Sequence, residues 1–398
     1  MPNFIKCVEH VTRTLPEKAL HPEIGRAMVV TYGSQVDVRP PDLLTAEWRI
    51  TPRSYAGYLP LPQGYVLYIE PKVPLTNLFG MLDYAISTQF SVYAGTFNAG
   101  SLQEFFEQLA SVLAKRVLAR ARRGFHRAYV WQEEQLPYVR GRLQVAPMLR
   151  APWKVRLDCH YDEHTGDIQD NHILAWTLHT IARTGLCGED VSQNVRAAFR
   201  SLQGLAPLTP VSAKNCENRL YHRLNVDYQP LHGLCRFFLQ HTGPTHLEGA
   251  GTALPFLINM AQLFEGFVAQ WLLQHLPATY KLRIQECVHL PGTGLNYDID
   301  LVIYATETDT PLCVLDTKYK QPEAPSHADI NQMVTYARLK QCKMAVLLYP
   351  TPLPVPFKAQ VADTGIYAMA FDIAGDLEAA GLLLLSELIP LIGQERDG

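Results

Sequence analysis

Between residues 255 and 350 the hydrophobic period switches repeatedly between helical and extended, and the order of those switches constrains the fold more than any other feature of the chain. PFLINMAQLFEGFVAQWLLQHL (255–276) is amphipathic at helical spacing, with Phe256, Met260, Leu263, Phe264, Phe267, Val268 and Trp271 on one stripe. Strand-like YKLRIQECVHL, the turn PGTG, strand-like YDIDLVIY and strand-like PLCVLDTKYK follow; a helical SHADINQMVTYARLKQ and a strand-like KMAVLLYP close the run. The order αβββαβ predicts a compact α/β unit.

The chemistry-bearing residues fall inside that unit. Asp316 and Lys318 lie two apart on an apolar strand, so they emerge on one face while Leu315 and Thr317 point away. A charged pair at the end of a buried strand is costly unless used or neutralised. The preceding strand offers Asp300 directly before Leu301–Ile303, and Asp298 two residues earlier on the same face. Adjacent strands would bring these carboxylates together, where they repel unless a hard cation such as Mg²⁺ separates them. Phosphodiester hydrolysis needs a cation to polarise the phosphate and acidify water, and an ammonium to orient that water or stabilise added charge. The plain alternative, an ion pair on a strand end, loses ground because an acid-bearing helix precedes the strands and a helix with Gln332 and Tyr336 follows.

The rest of the chain reads differently. Up to about residue 90, MVVTY (28–32), VDVRP (36–40), WRITP (48–52) and YVLYIEPKV (65–73) predict strands broken by Pro and Gly clusters. A helical phase starts near Ser101, a plausible N-cap with Glu104 completing a capping box. A second helix follows Asp170 and stops at Gly185, and a third covers Val195 to Leu202. Residues 204–216 and 242–255 read as loops, and PTPLPVP (350–356) as an extended connector. The expected organisation is α+β and multidomain: a β-rich domain over 1–100, a mainly helical middle region over 101–245, and the α/β unit over 246–398.

Asp300, Asp316–Thr317–Lys318 and Gln332-x-x-x-Tyr336, in this order on αβββαβ, resemble the PD-(D/E)XK nuclease core in the variant of RecB-like nucleases. IEPKVPLTNLFGMLDYA (69–85), YVRGRLQ (138–144), CHYDEHTGDIQDNHIL (159–174), NMAQLFEGFV (259–268) and VLDTKYK (314–320) extend the resemblance to the McrC family, the nuclease subunits of McrBC-type modified-cytosine restriction systems. The resemblance implies Mg²⁺-dependent cleavage of double-stranded, methylcytosine-containing DNA, with Asp300 and Asp316 as metal ligands and Lys318 as the catalytic lysine. Glu265 falls where related nucleases often place a further acid, which makes it a third metal-ligand candidate; a solvated edge residue is the alternative. Ile299 stands where the family pattern has Pro, which leaves Asp298 and Asp300 competing for the first position. Gln332 and Tyr336 either contact the DNA backbone or buttress the site. The resemblance further implies a McrB-like AAA+ GTPase partner, into whose ring the N-terminal β-rich region inserts to stimulate nucleotide hydrolysis. A RecB-like repair nuclease and a non-nucleolytic ring activator remain as alternatives.

Composition narrows the remaining classes. With 35 Lys plus Arg against 38 Asp plus Glu, the formal charge is −3, so contact with nucleic acid must come from a local basic patch. One candidate is Lys115, Arg116, Arg120, Arg122, Arg123 and Arg127; a solvated helix face explains it equally well. Arg140 and Arg142 flank Gly141 and suit a phosphate, a partner's acidic loop or a structural turn. The chain contains no GxxxxGK[ST], so GTP belongs to the partner. Eight dispersed cysteines without a CxxC pair predict reduced thiols in a cytoplasm, and zinc at Cys159, His160 and His164 is not expected. The longest apolar run near the C-terminus, Ala379–Leu385, is too short to span a membrane.

Overall fold

The computed structural model describes residues 3–41, 45–86, 100–150, 153, 155–242, 254–290, 292, 294, 296–320 and 322–396. Most of the expected 242–255 loop and part of the PGTG turn lie outside them. The chain divides into two compact units, one of residues 1–102, 245–251 and 255–398, the other of residues 103–244 and 252–254.

The first unit opens with β1 (Asn3–Val8), β2 (Arg13–Pro16), α1 (Pro22–Tyr32), β3 (Val36–Arg39), β4 (Glu47–Pro52), β5 (Tyr55–Pro60), β6 (Tyr65–Glu70) and α2 (Leu75–Ile86). MVVTY, expected as a strand, is the second half of α1. His21 and Pro22 start that helix, and Ile24, Met28 and Tyr32, four apart, bury one stripe, while the β-branched Val29 and Val30 face solvent. Strand propensity loses to a capped start and a buried helical stripe. β2, β4 and β3 form an antiparallel sheet, and α1 joins it in one core with Leu20, Trp48, Ile50, Leu59 and Leu67.

The second unit holds α3 (Leu102–Arg123), β7 (Ala128–Leu136), β8 (Arg142–Leu143), α4 (Val145–Arg150), β9 (Leu157–Thr165), α5 (Gln169–Thr184), α6 (Glu189–Leu202) and α7 (Gln229–His241). α5 ends at Gly185 in the left-handed conformation, as its sequence predicts. α6 begins six residues before Val195, and neither α7 nor the three-stranded antiparallel sheet β7-β9-β8 was expected. Edge-to-face pairs Phe105–Phe237 and Phe106–Phe238 join α3 to α7.

The first unit resumes with β10 (Phe256–Asn259), α8 (Met260–His275), β11 (Tyr280–His289), β12 (Asn296–Ala305), β13 (Pro311–Thr317), α9 (His327–Lys340), β14 (Met344–Tyr349), β15 (Phe357–Val361), β16 (Thr364–Ala370) and α10 (Leu377–Arg396). The expected helix from Phe256 is corrected at its start: Phe256–Asn259 pair antiparallel with β5 and complete the sheet β1-β6-β5-β10. The helix begins at Met260, where the Asn259 carboxamide oxygen accepts from the Ala261 and Gln262 amides at 3.2 Å each. The strands from β11 on form the sheet β11-β12-β13-β14-β16-β15, in which β13, β14 and β16 run parallel. The observed order α8-β11-β12-β13-α9-β14 is the expected αβββαβ. Among the described residues no helix is long and apolar enough to cross a membrane.

Candidate active site

Three neighbouring elements deliver the polar side chains. β12 and β13 pair antiparallel from Leu301↔Leu315 outward, so Asp300 arrives opposite the end of β13 that carries Asp316 and Thr317. Both strands are apolar up to that point and drive their backbone into the core, which carries Asp316 in until it is 2% exposed. Asp300 Oδ2 accepts hydrogen bonds from the Thr317 amide at 3.0 Å and the Thr317 hydroxyl at 3.2 Å. The Lys318 ammonium stands 2.6 Å from Asp316 Oδ2 and donates to Gln332 Oε1 at 3.0 Å. That contact is a close ion pair whose angle is poor for a hydrogen bond, so the buried Asp316 Oδ2 meets a charge and no well-aligned donor. Gln332 Nε2 in turn donates to the Tyr336 hydroxyl at 2.7 Å. The i,i+4 spacing on α9 puts both on one face, and a Ser326–Asp329 capping box fixes where that helix starts.

The electrostatics follow from burial and crowding. Desolvation, and then the Asp300 charge, push the Asp316 carboxyl up to about 6. Burial opposes the Lys318 ammonium, but its pairing with Asp316 prevails and raises its pKa. Glu265 on α8 is raised by burial and by Asp300, against a hydrogen bond donated by Gln285 at 3.2 Å. Asp300, Asp316, Lys318, Gln332 and Tyr336 are thus one connected set, with Glu265 in electrostatic reach. Asp298 is exposed and faces Cys287 across β11. Thr317, which holds Asp300, and Gln285, which holds Glu265, escape the sequence reading; the only signal for Thr317 is its place between Asp316 and Lys318.

Among the described residues no three His, Cys, Asp or Glu side chains are close enough to hold a metal ion together. Mg²⁺ does not require three, since it usually keeps several waters and takes one or two carboxylates plus substrate phosphate. Asp300 and Asp316 fit that demand: they are oxygen donors, they repel each other, and Asp316 Oδ2 is buried with no directed donor. At the other candidate, Cys159 Sγ donates to the Tyr138 carbonyl at 3.6 Å and His160 Nδ1 is hydrogen-bonded to Gln144 at 2.8 Å.

The arginine candidates separate. Arg140 pairs with Glu163 at 3.0 Å and lies 3.8 Å over the Tyr161 ring, while Gly141 turns with φ +68° where a Cβ would meet the His160 carbonyl oxygen at 2.4 Å. These contacts are those of a structural turn. Arg142 on β8, and Arg122 and Arg123 at the end of α3, are exposed. Arg120 is bound to Asp227 at 3.1 Å and to the Leu224 carbonyl, so the basic cluster is not a continuous free stripe. All eight cysteines are free thiols.

Residues 50–350 match the family described as McrBC 5-methylcytosine restriction system component. The chain is 22% identical over 267 residues to the type IV methyl-directed restriction enzyme EcoKMcrBC of Escherichia coli strain K12, which covers 63% of this chain and 74% of that protein. Its fold is similar to a chain in the refined half-complex of the tetradecameric assembly of Thermococcus gammatolerans McrB AAA+ hexamers with bound McrC. The TM-score is 0.60 at 18% identity, over 98% of this chain and 100% of that one. With the family match extending over most of its length, this chain belongs to the McrBC 5-methylcytosine restriction system component family.

Proposed function

We propose that this chain is the nuclease subunit of a GTP-dependent McrBC-like complex, that its C-terminal α/β unit is a PD-(D/E)XK core, and that it cleaves methylcytosine-containing DNA. The juxtaposition of Asp300, Asp316 and Lys318 at the ends of two paired strands carries this reading. Asp300 and Asp316 would hold Mg²⁺, which when bound supplies Lewis acidity toward the phosphate and lowers the pKa of water. Thr317 fixes the Asp300 carboxylate toward the strand end, so its orientation is set before substrate arrives. Lys318 offers a positive charge where negative charge builds on the phosphate, and Gln332, itself held by Tyr336, positions that ammonium. Glu265, which feels the Asp300 charge, is the further carboxylate that could join them at the metal.

Activity on this reading requires an AAA+ ring partner, because the chain has no phosphate-binding loop and its structural relative is bound to McrB hexamers. The N-terminal region is one candidate contact. A specific observation favours a second: β7 exposes Tyr129 (74%) and Trp131 (56%) two residues apart on one face of the β7-β9-β8 sheet, large aromatic side chains of the kind enriched at protein interfaces.

The test is Asp316→Ala, assayed with the partner, GTP and Mg²⁺ on methylated duplex. Cleavage should disappear while the protein still folds and joins the partner, since the change removes a ligand and a buried charge that Asp300 repels, and Lys318 keeps its hydrogen bond to Gln332. Cleavage at the wild-type rate in that variant removes the nuclease assignment.

A further inference from the structure

In the first unit a cavity of about 380 Å³ opens beside the turn that follows Lys318, and the proposed reaction leaves it unused. Its walls come from the carboxyl ends of two sets of parallel strands. Lys320, Pro350 and Ile373 follow β13, β14 and β16, while His10 and Lys72 follow the parallel pair β1 and β6. The carboxyl ends of parallel strands are where open α/β sheets bind ligands, because the chain turns away there and leaves a crevice.

Tyr319 forms part of the wall and is held in place. Its hydroxyl donates to Glu9 Oε2 at 3.2 Å, and the same carboxylate oxygen accepts from the Lys72 amide at 3.4 Å. Glu9 is fully buried, its other oxygen lies 3.7 Å from His10 Nε2, and burial pushes its carboxyl up to about 7. The Lys320 amide bonds back to the Lys318 carbonyl at 2.7 Å, so a tight turn puts Tyr319 directly after the proposed catalytic lysine. Lys320 is paired with Asp329, but among the described residues no carboxylate is in ion-pair contact with Lys72, which is exposed. The cavity thus offers an aromatic side chain, a free ammonium and apolar walls.

That combination suits an anion carrying a flat apolar group. The volume lies at the low end of ligand sites, about 300–1,000 Å³. A base pair does not fit, but one unstacked nucleotide does, and base–aromatic stacking beside a cationic group is how unpaired strands are held.

We propose that this cavity holds one unpaired nucleotide of the DNA strand leading to the scissile phosphate, its base against Tyr319 and its phosphate beside Lys72. The inference rests on the nuclease reading above and adds a site for the strand.

The test uses the full chain in chelator, where no hydrolysis occurs, and a single-stranded oligonucleotide carrying 2-aminopurine. Wild type should bind it and quench its fluorescence by stacking. Lys72→Glu should weaken binding at least about tenfold, Lys72→Arg should retain it, and Val73→Trp, which fills the cavity, should remove the quenching. Unchanged affinity and quenching in both Lys72→Glu and Val73→Trp overturns the proposal; Lys72 is exposed, so its variant stays folded. GMP serves as competitor: displacement at a concentration equal to the oligonucleotide's makes the occupant a free nucleotide and overturns the strand assignment. Cleavage of methylated duplex is measured on the same preparations with partner, GTP and Mg²⁺. Wild type that cuts but binds independently of Lys72 and Val73 sinks the cavity alone. Wild type that binds through them but cuts nothing sinks the nuclease reading alone.

Discussion

Lys318 stands between an acid that raises its proton affinity and a carboxamide that aims it. A side chain that served only to neutralise Asp316 would need the first neighbour and not the second. Lys318→Gln keeps a hydrogen-bonding group, one atom shorter, but removes the charge, so DNA cleavage should fall by about 10²–10³. Stimulation of the partner's GTPase should be unchanged, because that activity is assigned to other residues. Both rates measured on one preparation decide the matter: loss of stimulation with cleavage retained favours a ring activator over a nuclease. Glu9 gives a second prediction. Its carboxyl rises from an ordinary 4.5 to about 7, mainly by burial. The folded state therefore binds this proton more tightly than the unfolded chain, and the protein loses stability as pH climbs from about 4.5 to about 7. At about 1.4 kcal/mol per tenfold change in proton affinity, the loss is on the order of 3 kcal/mol. Glu9→Gln should match wild type near the acid end and exceed it above neutrality in urea titrations run across that range; parallel pH curves for the two proteins refute the assignment. Nothing in the text around Glu9 marks it out, since an acid after a short strand is ordinary. Its burial is imposed by Tyr319, 310 residues away.

Among the elements, those that carry their own signal are legible in the sequence, and those that a distant partner decides are not. α5 has a helical stripe and a terminal glycine, and the strands β12 to β14 are apolar runs bounded by turns; each was legible. β10 was not, because FLIN continues the apolar text of α8 without a break and becomes a strand only by pairing with β5. That pairing depends on Gly57. It sits at φ +143°, and a Cβ there would meet the Phe256 carbonyl oxygen at 2.0 Å. Gly57→Ala should therefore cost about 2–4 kcal/mol, combining backbone strain with a clash against main chain that cannot rotate away. Chemical denaturation measures the loss, and a cost under about 0.5 kcal/mol, typical of a surface site, contradicts the observed register.

For the whole molecule, the chain leaves the first unit after residue 102 and belongs to it without interruption again from residue 255. The two units offer different chemistry: the first holds the carboxylates and Lys318, the second an exposed aromatic sheet face. Tyr129 and Trp131 alternate outward on β7 beside His164 and His160 of β9, with ring centroids 5.0 and 5.2 Å apart in the two pairs. Aromatic anchors at the centre of an interface commonly cost about 2 kcal/mol or more when truncated. Trp131→Ser should thus weaken stimulation of an AAA+ partner's GTPase at least about tenfold, with little change in the stability of this chain. Full stimulation by that variant would return the partner contact to the N-terminal region.

The αβββαβ order, and Asp316 and Lys318 with Asp300 or Asp298 beside them, are legible along the chain, because periodicity and short-range spacing need no distant partner; the family is legible through the resemblance of its motifs. Tertiary contacts were needed to make MVVTY helical and FLIN a strand, to set Thr317 against Asp300, and to bury Glu9 beside Tyr319. Each of those outcomes is set by contacts between residues remote in sequence, where the free energy of burying one face against another exceeds local propensity.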